Sequence, residues 1–168
     1  MHPQPRADDL QPAFREVMAG VATPVSVITA VSADGVPHGT TVSAFASLSM
    51  DPPMVLVSLD RGSDLLALVR VTGRFGVNVL GATQSALALS FARKGPDKFA
   101  DVDWADDHGL PRLPGVPGWL ACDVDSLVTG GDHVVVLGLV TAAATVDGAP
   151  LTYHSRVFGT HAALEVIS

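Results

Sequence analysis

The residues best suited to contact a ligand form a row of hydroxyl groups in the first third of the chain. Residues 39–53 read GTTVSAFASLSMDPP, and an extended strand would carry their odd-numbered side chains on one face. That face holds Thr41, Ser43, Phe45, Ser47 and Ser49. The other face is predicted to be buried and holds Thr40, Val42, Ala44, Ala46 and Leu48. Hydroxyls beside an aromatic ring suit a flat ligand with polar edges, although a solvated sheet face would show the same alternation.

Positive charge is concentrated in one short segment of this acidic chain. Its only two lysines, Lys94 and Lys98, lie close to Arg93. Because fixed cations near a helix N-terminus bind phosphate through charge-assisted hydrogen bonds, this cluster predicts a site for a phosphorylated small molecule. Basic residues at the C-terminal end of a helix also complement its dipole, so this second explanation stays open.

Two further polar residues sit where strands and helices begin. His133 follows Gly131 and Asp132 and leads into the most apolar predicted strand, so it would lie at the rim of a barrel, within reach of a bound ligand. Ser63 precedes a predicted helix. Both also have plain structural explanations, because histidine is common in turns and serine is a common helix cap.

Several chemistries are excluded because their motifs are missing. The chain has no GxGxxG after a predicted strand, no GxxxxGK[ST], no HExxH and no GxSxG. Cys122 is the only cysteine, so neither an internal disulfide nor a CxxC metal site can form. The histidines include no pair spaced i, i+4, and we predict no metal centre.

Composition limits the partners of the protein. The 168 residues are enough for one domain with a substantial core. The net charge of −7 disfavours nucleic acid, whose phosphates require clustered basic residues. Hydrophobic residues make up 48% and charged residues 16%, which predicts apolar surface that a second copy covers. The longest apolar run, 134–146, is too short to cross a membrane, and residues 1–12 lack the apolar core of a secretory signal, so we expect a cytoplasmic protein.

Short strands joined by tight turns dominate the predicted structure. Four apolar residues at helical spacing predict an N-terminal helix that starts at Asp8 or Asp9 and ends at Gly20. Strands are predicted at 25–31, 54–59, 74–80, 119–128, 133–146 and 151–158, besides the hydroxyl strand. Further helices are predicted after Ser63 and from Thr83, whereas the Gly- and Pro-rich residues 97–118 give no readable structure. About seven or eight strands and three helices predict an antiparallel barrel with attached helices.

Taken in order, these segments resemble the flavin reductase family, the NAD(P)H:flavin oxidoreductases that supply reduced flavin to two-component monooxygenases. The resemblance covers residues 14–159 and depends on the order and spacing of its segments. They are Phe14-Arg15, VSVIT at 25–29, GTTVSAFASLS at 39–49 with Pro52-Pro53, VLVS at 55–58 with Ser63, FGVNV at 75–79, Phe91-Ala92 with the basic loop and Phe99, Gly131-Asp132-His133, GLV at 138–140, Tyr153 and Phe158-Gly159.

The resemblance implies a mainly β fold. The expected architecture is an FMN-binding split β-barrel with Greek-key antiparallel strands and a few peripheral helices, forming a homodimer with the flavin at the interface. The chain then divides into a flexible N-terminal segment at 1–12, the split-barrel domain at 13–162 and a C-terminal tail at 163–168.

The resemblance also implies roles for particular residues. The flavin ring is expected against the hydroxyl strand, at Thr41, Val42, Ser43, Ser47 and Leu48. The flavin phosphate is expected at Ser58, Ser63, Arg93 and Lys94, with Phe91 close by. Either Arg93 or Lys94 could hold the phosphate. His133 is expected to contact the nicotinamide of NAD(P)H.

The implied activity is hydride transfer from NAD(P)H to FMN or FAD, with delivery of the reduced flavin to a partner monooxygenase. FMN and FAD are not distinguished by the sequence. NADH is favoured over NADPH because no second basic cluster is available for a 2′-phosphate. Two alternatives stay open: a noncatalytic flavin- or haem-binding split-barrel module, and an oxidase of the pyridoxamine-phosphate type.

Overall fold

The computed structural model describes residues 7–164, and residues 1–6 and 165–168 lie outside the described part. The described helices are α1 (Ala7–Ala19), α2 (Asp64–Thr72) and α3 (Ser85–Ala92). The described strands are β1 (Thr23–Pro24), β2 (Ser26–Val31), β3 (Pro37–Val42), β4 (Phe45–Met50), β5 (Pro53–Asp60), β6 (Arg74–Val79), β7 (Ala105–Asp107), β8 (Leu110–Arg112), β9 (Gly118–Gly130), β10 (His133–Thr145), β11 (Leu151–His154) and β12 (Val157–Thr160). The chain is therefore mainly β, as predicted.

Seven antiparallel strands form one sheet in the order β3-β2-β6-β9-β10-β5-β4. Its two edge strands, β3 and β4, are consecutive in the chain and separated only by Ser43 and Ala44. Because so short a linker spans only about 10 Å, the two edges meet there and the sheet curls into a barrel. The Ser58 N–H of β5 donates to the Ala44 carbonyl oxygen at 2.9 Å and fastens the linker. The predicted antiparallel barrel is confirmed.

The hydroxyl row at 39–53 is not one strand, so that prediction is wrong. β3 pairs with β2 and β4 pairs with β5, and the side-chain alternation restarts between them. Val42 packs toward the barrel interior from β3, whereas on β4 it is the odd-numbered Phe45 that does so. Ala46 and Leu48, predicted to be buried, are exposed. The physical reason is that the chain leaves the edge strand β3 at Ser43 and then enters the opposite edge strand, β4.

Two apolar clusters lie on opposite faces of the curled sheet. The inner cluster includes Ile28, Val57, Phe75, Val77, Val136 and, from α2, Leu65, Leu66 and Val69. The outer cluster includes Val27, Phe91, Leu113, Trp119 and Leu151. Gly76 allows the Trp119 ring to approach β6 closely, because a Cβ there would lie 2.4 Å from Trp119 Cη2 and 2.7 Å from Thr29 Oγ1.

A buried amide fixes part of the segment that the sequence left unread. The Asn78 side chain donates to the carbonyl oxygens of Val27 and Pro111, both at 3.3 Å, and accepts from the Leu113 N–H at 2.8 Å. The Thr29 hydroxyl also donates to the Pro111 oxygen, at 2.8 Å. These bonds hold β8 and the residues after it over the outer face of the sheet, where burial makes each of them costly to lose.

Helix α1 already includes Ala7, the first described residue, ahead of the predicted start at Asp8 or Asp9, and it ends before Gly20 as predicted. Residues 7–12, which the sequence assigned to a flexible segment, are therefore helical. The division into a domain at 13–162 and a tail at 163–168 stays a prediction. Phe14 and Val17 of this helix are 60% and 67% exposed, so the described chain leaves its apolar face uncovered.

The two helices predicted after Ser63 and from Thr83 are both present. Ser63 is the N-cap of α2, and its oxygen accepts from the Leu66 N–H. Helix α3 starts at Ser85 after Gln84, whose side chain bonds to Gly81 and Pro114 instead of capping the helix. None of the described helices has the length and apolar character needed to cross a membrane.

Candidate functional site

A cleft of about 560 Å³ opens beside the end of the barrel where β3 begins. Three segments line it: residues 36–40, residues 60 and 62–65 of the β5–α2 turn, and residues 92–99 after α3. Three of the sequence-predicted phosphate residues, Ser63, Arg93 and Lys94, therefore share one cavity. Its size suits a small molecule rather than a macromolecule.

The basic loop enters the cleft because of its backbone. Arg93 leaves α3 in an extended conformation. Gly95 and Asp97 follow at φ 110° and 66°, a left-handed region that turns the chain sharply. The side chains of Arg93 and Lys94 are exposed and make no hydrogen bond or ion pair within the described residues. Both cations are thus available to an anionic ligand.

Lys98 has a different role from the one its sequence position suggested. Its ammonium donates to the carbonyl oxygens of Gly39, at 3.1 Å, and Phe91, at 3.0 Å. Burial lowers the pKa of Lys98, and the nearby Asp64 carboxylate opposes that shift. The side chain thus ties the end of the basic loop to β3 and α3. Of the three clustered cations, Lys98 is a structural anchor and only Arg93 and Lys94 are free.

Ser63 combines a structural contact with access to the cleft. Its oxygen accepts from the Leu66 N–H at 3.4 Å, so the hydroxyl hydrogen remains available to a ligand. The preceding turn is tightened by the Asp60 carboxylate, which accepts from the Gly62 N–H at 2.7 Å. Asp64 begins α2 and also lines the cleft, which therefore carries carboxylates as well as cations.

His133 lies beside this turn. It is the first residue of β10 and pairs with Asp60 in the register of β5. The Arg61 N–H donates to the Asp132 carbonyl oxygen at 3.0 Å, and its guanidinium donates to the Gly131 oxygen at 3.2 Å. His133 Nδ1 lies 2.8 Å from Asp132 Oδ1, and this hydrogen bond holds the pKa of Asp132 below its usual value. The imidazole is half-exposed, so its other nitrogen is open to a ligand.

The residues expected at the flavin ring are spread over both sheet edges and their linker. The Thr41 hydroxyl donates to the Ala88 carbonyl oxygen of α3 at 2.7 Å, and Val42 packs against the inner cluster. Ser43 and Ser47 are exposed, and Leu48 is the extra residue of a bulge in β4. None of these five residues lines the cleft.

Ser58 and Phe91 also lie outside the cleft lining. Ser58 is half-buried on β5 next to the linker. Phe91 is fully buried, and its ring occupies the space that a side chain at Gly39 would need, with a Cβ there only 2.8 Å from Phe91 Cε1. Phe91 thus supports the cleft from beneath.

Several cleft residues were missed by the sequence reasoning, among them His38, Thr40, Asp60 and Asp64. They come from β3, the end of β5 and the start of α2, and only the pairing of strands brings these segments together. Proximity of Asp64 to Ser63 in the sequence was the one available signal. Within residues 7–164, no group of three or more His, Cys, Asp or Glu side chains is arranged to hold a metal ion.

Fold and cleft together define the class of protein: an antiparallel barrel with attached helices and, beside the start of β3, a cleft of small-molecule size lined by both cations and carboxylates. The chain belongs to the family described as flavin reductase like domain, whose model matches residues 18–162. The family suggested by the segments between residues 14 and 159 is thereby confirmed.

Proteins with similar sequences are named as flavin reductases or as reductase components of monooxygenases. A 4-nitrophenol 4-monooxygenase/4-nitrocatechol 2-monooxygenase reductase component from Rhodococcus opacus is 40% identical over 146 residues, 87% of this chain and 78% of its own. FMN reductase (NADH) SmoA from Agrobacterium fabrum is 37% identical over 147 residues, 87% of this chain and 83% of its own. A probable flavin reductase from Rhizobium meliloti is 40% identical over 131 residues, which cover 77% of this chain but only 42% of that protein.

Among solved structures, nitrilotriacetate monooxygenase component B from Mycobacterium thermoresistibile superposes with a TM-score of 0.87 at 34% identity. The match covers 94% of this chain and 89% of that one. The barrel and its attached helices are therefore those of the flavin reductase like family.

Proposed function

We propose that this protein is an NAD(P)H-dependent flavin reductase that passes a hydride from the nicotinamide to FMN or FAD and releases reduced flavin to a separate monooxygenase. The observation that carries the proposal is the cleft in which Ser63, Arg93 and Lys94 meet beside β3, in a chain of the flavin reductase family. Hydride transfer is chemistry that the two nucleotides supply when both are bound. The contribution of the protein is to hold them in contact and correctly oriented.

The donors at the cleft fit a flavin phosphate. Arg93 and Lys94 are cations without partners among the described residues, and the Ser63 hydroxyl retains a hydrogen to donate. Charge-assisted bonds to phosphate are stronger than those between neutral groups, so these three side chains are expected to supply much of the flavin affinity. Ser58 is proposed to act from the neighbouring strand, close to the linker.

The flavin ring is proposed to lie against the linker and β4. Ser43 and Ser47 are exposed and have no side-chain partner among the described residues, and β4 is an edge strand with a bulge at Leu48. Edge-strand backbone groups and hydroxyls suit the polar edge of a flat ring. Leu48 would contact its apolar face, and Val42, whose side chain packs against the inner cluster, would contribute backbone groups. The donor of Thr41 is already bonded to Ala88, which leaves Thr41 its acceptor and backbone groups.

His133 is proposed to orient the nicotinamide. It stands at the start of β10, next to the turn that carries Ser63, and Asp132 holds its Nδ1. With Nδ1 engaged, Nε2 is the nitrogen left to meet a substrate group. Because the imidazole neither forms a covalent bond nor removes a proton from carbon here, its contribution is geometric.

A second copy of the chain is proposed to complete the site. The outward side chains of β5 and β10, such as Leu56, Val135 and Leu137, are only half-buried, and Val128 of β9 is 51% exposed. The apolar face of α1 is likewise uncovered. Apolar area of this extent on a small chain favours association with a copy of itself. The flavin would then lie at the edge of the interface.

A separate monooxygenase is the proposed consumer of the reduced flavin, supported by relatives named as monooxygenase components. NADH is the proposed hydride donor, supported by the relative named FMN reductase (NADH) and by the single free cationic loop in the described chain. We expect the protein to work in the cytoplasm, where NADH is available and the single thiol of Cys122 stays reduced.

The test of the proposal is turnover. Catalytic amounts of protein with excess NADH and free FMN or FAD are expected to oxidise many equivalents of NADH, followed by its absorbance. Stoichiometric flavin or haem binding without turnover would instead support a noncatalytic module. Oxidation of pyridoxamine phosphate with no NADH consumption would support the oxidase alternative.

Replacing His133 with alanine tests the nicotinamide role. We expect kcat/KM for NADH to fall about tenfold, the equivalent of one well-placed hydrogen bond, while flavin affinity is retained. His108→Ala, on the exposed β7–β8 turn, is the matched control and should leave both unchanged. An unchanged rate in H133A would remove this residue from the mechanism.

A further inference from the structure

A second cavity of about 470 Å³ is formed by the β7–β8 hairpin and the residues beside it. Residues 103–107 and 112–115 line this cavity, which is here called the hairpin groove. Trp104 belongs to it and contacts Phe99 of the cleft, with 6.2 Å between the ring centroids. None of the residues assigned above to flavin or nicotinamide lines the hairpin groove. The proposed hydride transfer therefore leaves it unused.

Negative charge is concentrated around the hairpin groove. Residues 99–111 contain four aspartates and neither lysine nor arginine. Asp107 is neutralised by Arg112, whose Nη1 lies 2.8 Å from its Oδ2. The exposed Asp106 carboxylate accepts one backbone N–H at 3.1 Å, and the exposed Asp103 carboxylate makes no hydrogen bond or ion pair in the part of the chain that the structure describes. Asp103 and Asp106 thus present charge that no described cation compensates.

Trp104 gives the groove an aromatic surface that is fixed in place. Its side chain is 36% exposed, and the Phe99 ring stands edge-on to it. Phe99 packs in turn against the fully buried Phe91, at 4.8 Å between centroids. A side chain held in this way loses little conformational entropy when a ligand binds. Tryptophan is also enriched among the residues that contribute most to binding between proteins.

An exposed indole beside free carboxylates matches an arginine side chain. A guanidinium stacks on an aromatic face and bonds to a carboxylate through two parallel N–H groups, which an ammonium cannot do. The same carboxylates repel phosphate and other anions. Because Asp103 and Asp106 are exposed and separate, they can also engage two cations of one peptide segment. Charge and shape therefore favour a basic peptide over a small molecule with a single cation.

We propose that the hairpin groove docks an arginine-bearing segment of a protein partner, with one guanidinium stacked on Trp104 and paired with Asp103. The inference goes beyond the proposed function and does not depend on it, because no flavin or nicotinamide residue takes part. It gives the protein a docking surface that is separate from the site of hydride transfer.

The first test uses tetraarginine amide as the probe, added to the full-length protein without flavin or NADH. Trp119 is only 1% exposed, so a change in tryptophan fluorescence on titration reports Trp104. We expect tetraarginine to bind at least about threefold tighter than tetralysine amide, because the two peptides have equal charge and only arginine bonds bidentately. Equal affinities would mean that the protein recognises charge alone and would overturn the proposal.

The second test uses Asp103→Asn, with Asp34→Asn in the exposed β2–β3 turn as its matched control. Both variants remove one negative charge, but Asp34 does not line the groove. We expect the tetraarginine affinity to fall about fivefold in D103N and by less than about twofold in D34N. Equal losses would assign the binding to the overall charge of the protein and would overturn the proposal.

Trp104→Leu keeps both carboxylates and removes the ring. It should therefore bind tetraarginine and tetralysine equally, because the stacking that favours arginine is lost. A preference for arginine that persists in W104L would overturn the stacked geometry.

Two further measurements identify the occupant. Arginine amide that binds as tightly as tetraarginine would assign the groove to a small organic cation, and a change in the oligomeric mass of D103N would assign it to a second copy of the chain. Either result would overturn the proposal. Turnover of NADH with FMN is measured on the same D103N preparation and should be unchanged, so failure of the docking surface and failure of the proposed function are distinguishable.

Discussion

The two halves of the sheet are stabilised in different ways. The helix contacts are concentrated on β2, β3 and β6, and Trp119, the buried Asn78 and the residues around Leu113 add a second layer there. On β5 and β10, by contrast, outward side chains such as Leu56 and Leu137 remain half-exposed. The half formed by β2, β3 and β6, here called the covered half, therefore completes its own packing. The half formed by β5 and β10, the open half, presents an apolar face.

The candidate site lies where these two halves meet. The cleft is built by β3 and α3 of the covered half and by the turn after β5 of the open half. The Ser43–Ala44 linker joins them, and the proposed ring residues lie in this linker and on both sides of it, in β3 and β4. Rigid packing on one side therefore fixes the proposed phosphate end of the site, whereas the proposed ring end depends on what covers the open side.

The covered half is most sharply tested at Gly76. Gly76→Ala would place a Cβ 2.4 Å from Trp119 Cη2, so the ring or the strand must shift. We expect the free energy of unfolding to fall by about 3 kcal/mol, at the upper end for overpacking, measured by chemical denaturation. Gly130→Ala is the matched control, because a Cβ there has no neighbour within 4 Å, and it should change stability by less than about 0.5 kcal/mol. Equal effects would remove the distinction between packed and open strands.

The boundary between the halves is tested at Lys98. Lys98→Met removes two charge-assisted hydrogen bonds and leaves the Gly39 and Phe91 carbonyl oxygens without this partner. We expect a loss of about 2 kcal/mol in unfolding free energy, together with a raised KM for flavin because the basic loop is released. Lys94→Met is the comparison, since Lys94 is exposed: it should raise the KM and leave stability unchanged. A stable K98M with normal flavin affinity would contradict the anchoring role.

The open half is tested at Leu137. Leu137→Lys should reduce the unfolding free energy of the separate chain by less than about 1 kcal/mol, because a lysine stem can lie along the sheet with its charge in water. Its main effect should be loss of the proposed dimer, measured by light scattering after size exclusion. Leu89→Lys on α3, where the leucine is 55% exposed, is the matched control and should leave the dimer intact. A persisting L137K dimer would place the interface elsewhere.

Much of the covered half could be predicted from local patterns. The helix predicted after Ser63, the Ser63 cap and the cationic loop after α3 are short-range signals, and each has its expected place in the fold. The family resemblance then placed these segments in the right architecture. The structure could be predicted for residues whose spatial neighbours are also close to them in the sequence.

The remaining features of the fold and site depend on pairing between segments that are distant in the sequence. The alternation of polar and apolar residues does not encode that pairing. The break at Ser43 and Ala44 leaves no mark in the hydroxyl pattern, because alternation on either side of it looks continuous. Lys98 bonds to backbone oxygens, which every residue possesses, so its sequence context indicated an anion site instead. The bonds of Asn78 to Pro111 and Leu113 join β6 to a segment rich in Gly and Pro that carries no periodic signal.

The smallest expected effect concerns the β7–β8 hairpin that precedes the covering layer. Arg112 and then His108 hydrogen-bond to Asp107 and hold the pKa of this carboxyl below its ordinary value. A depressed pKa in the folded state means that the stabilisation is present above the unfolded pKa, about 4, and is lost as the pH falls through the lower folded value. Asp107→Asn should therefore be less stable than the wild type at pH 6, by under about 1 kcal/mol for partly exposed partners, and equal to it near pH 2. Chemical denaturation at both pH values measures the difference in unfolding free energy between D107N and the wild type. A difference that persists near pH 2 would mean that Asp107 supports the hairpin by shape rather than by charge.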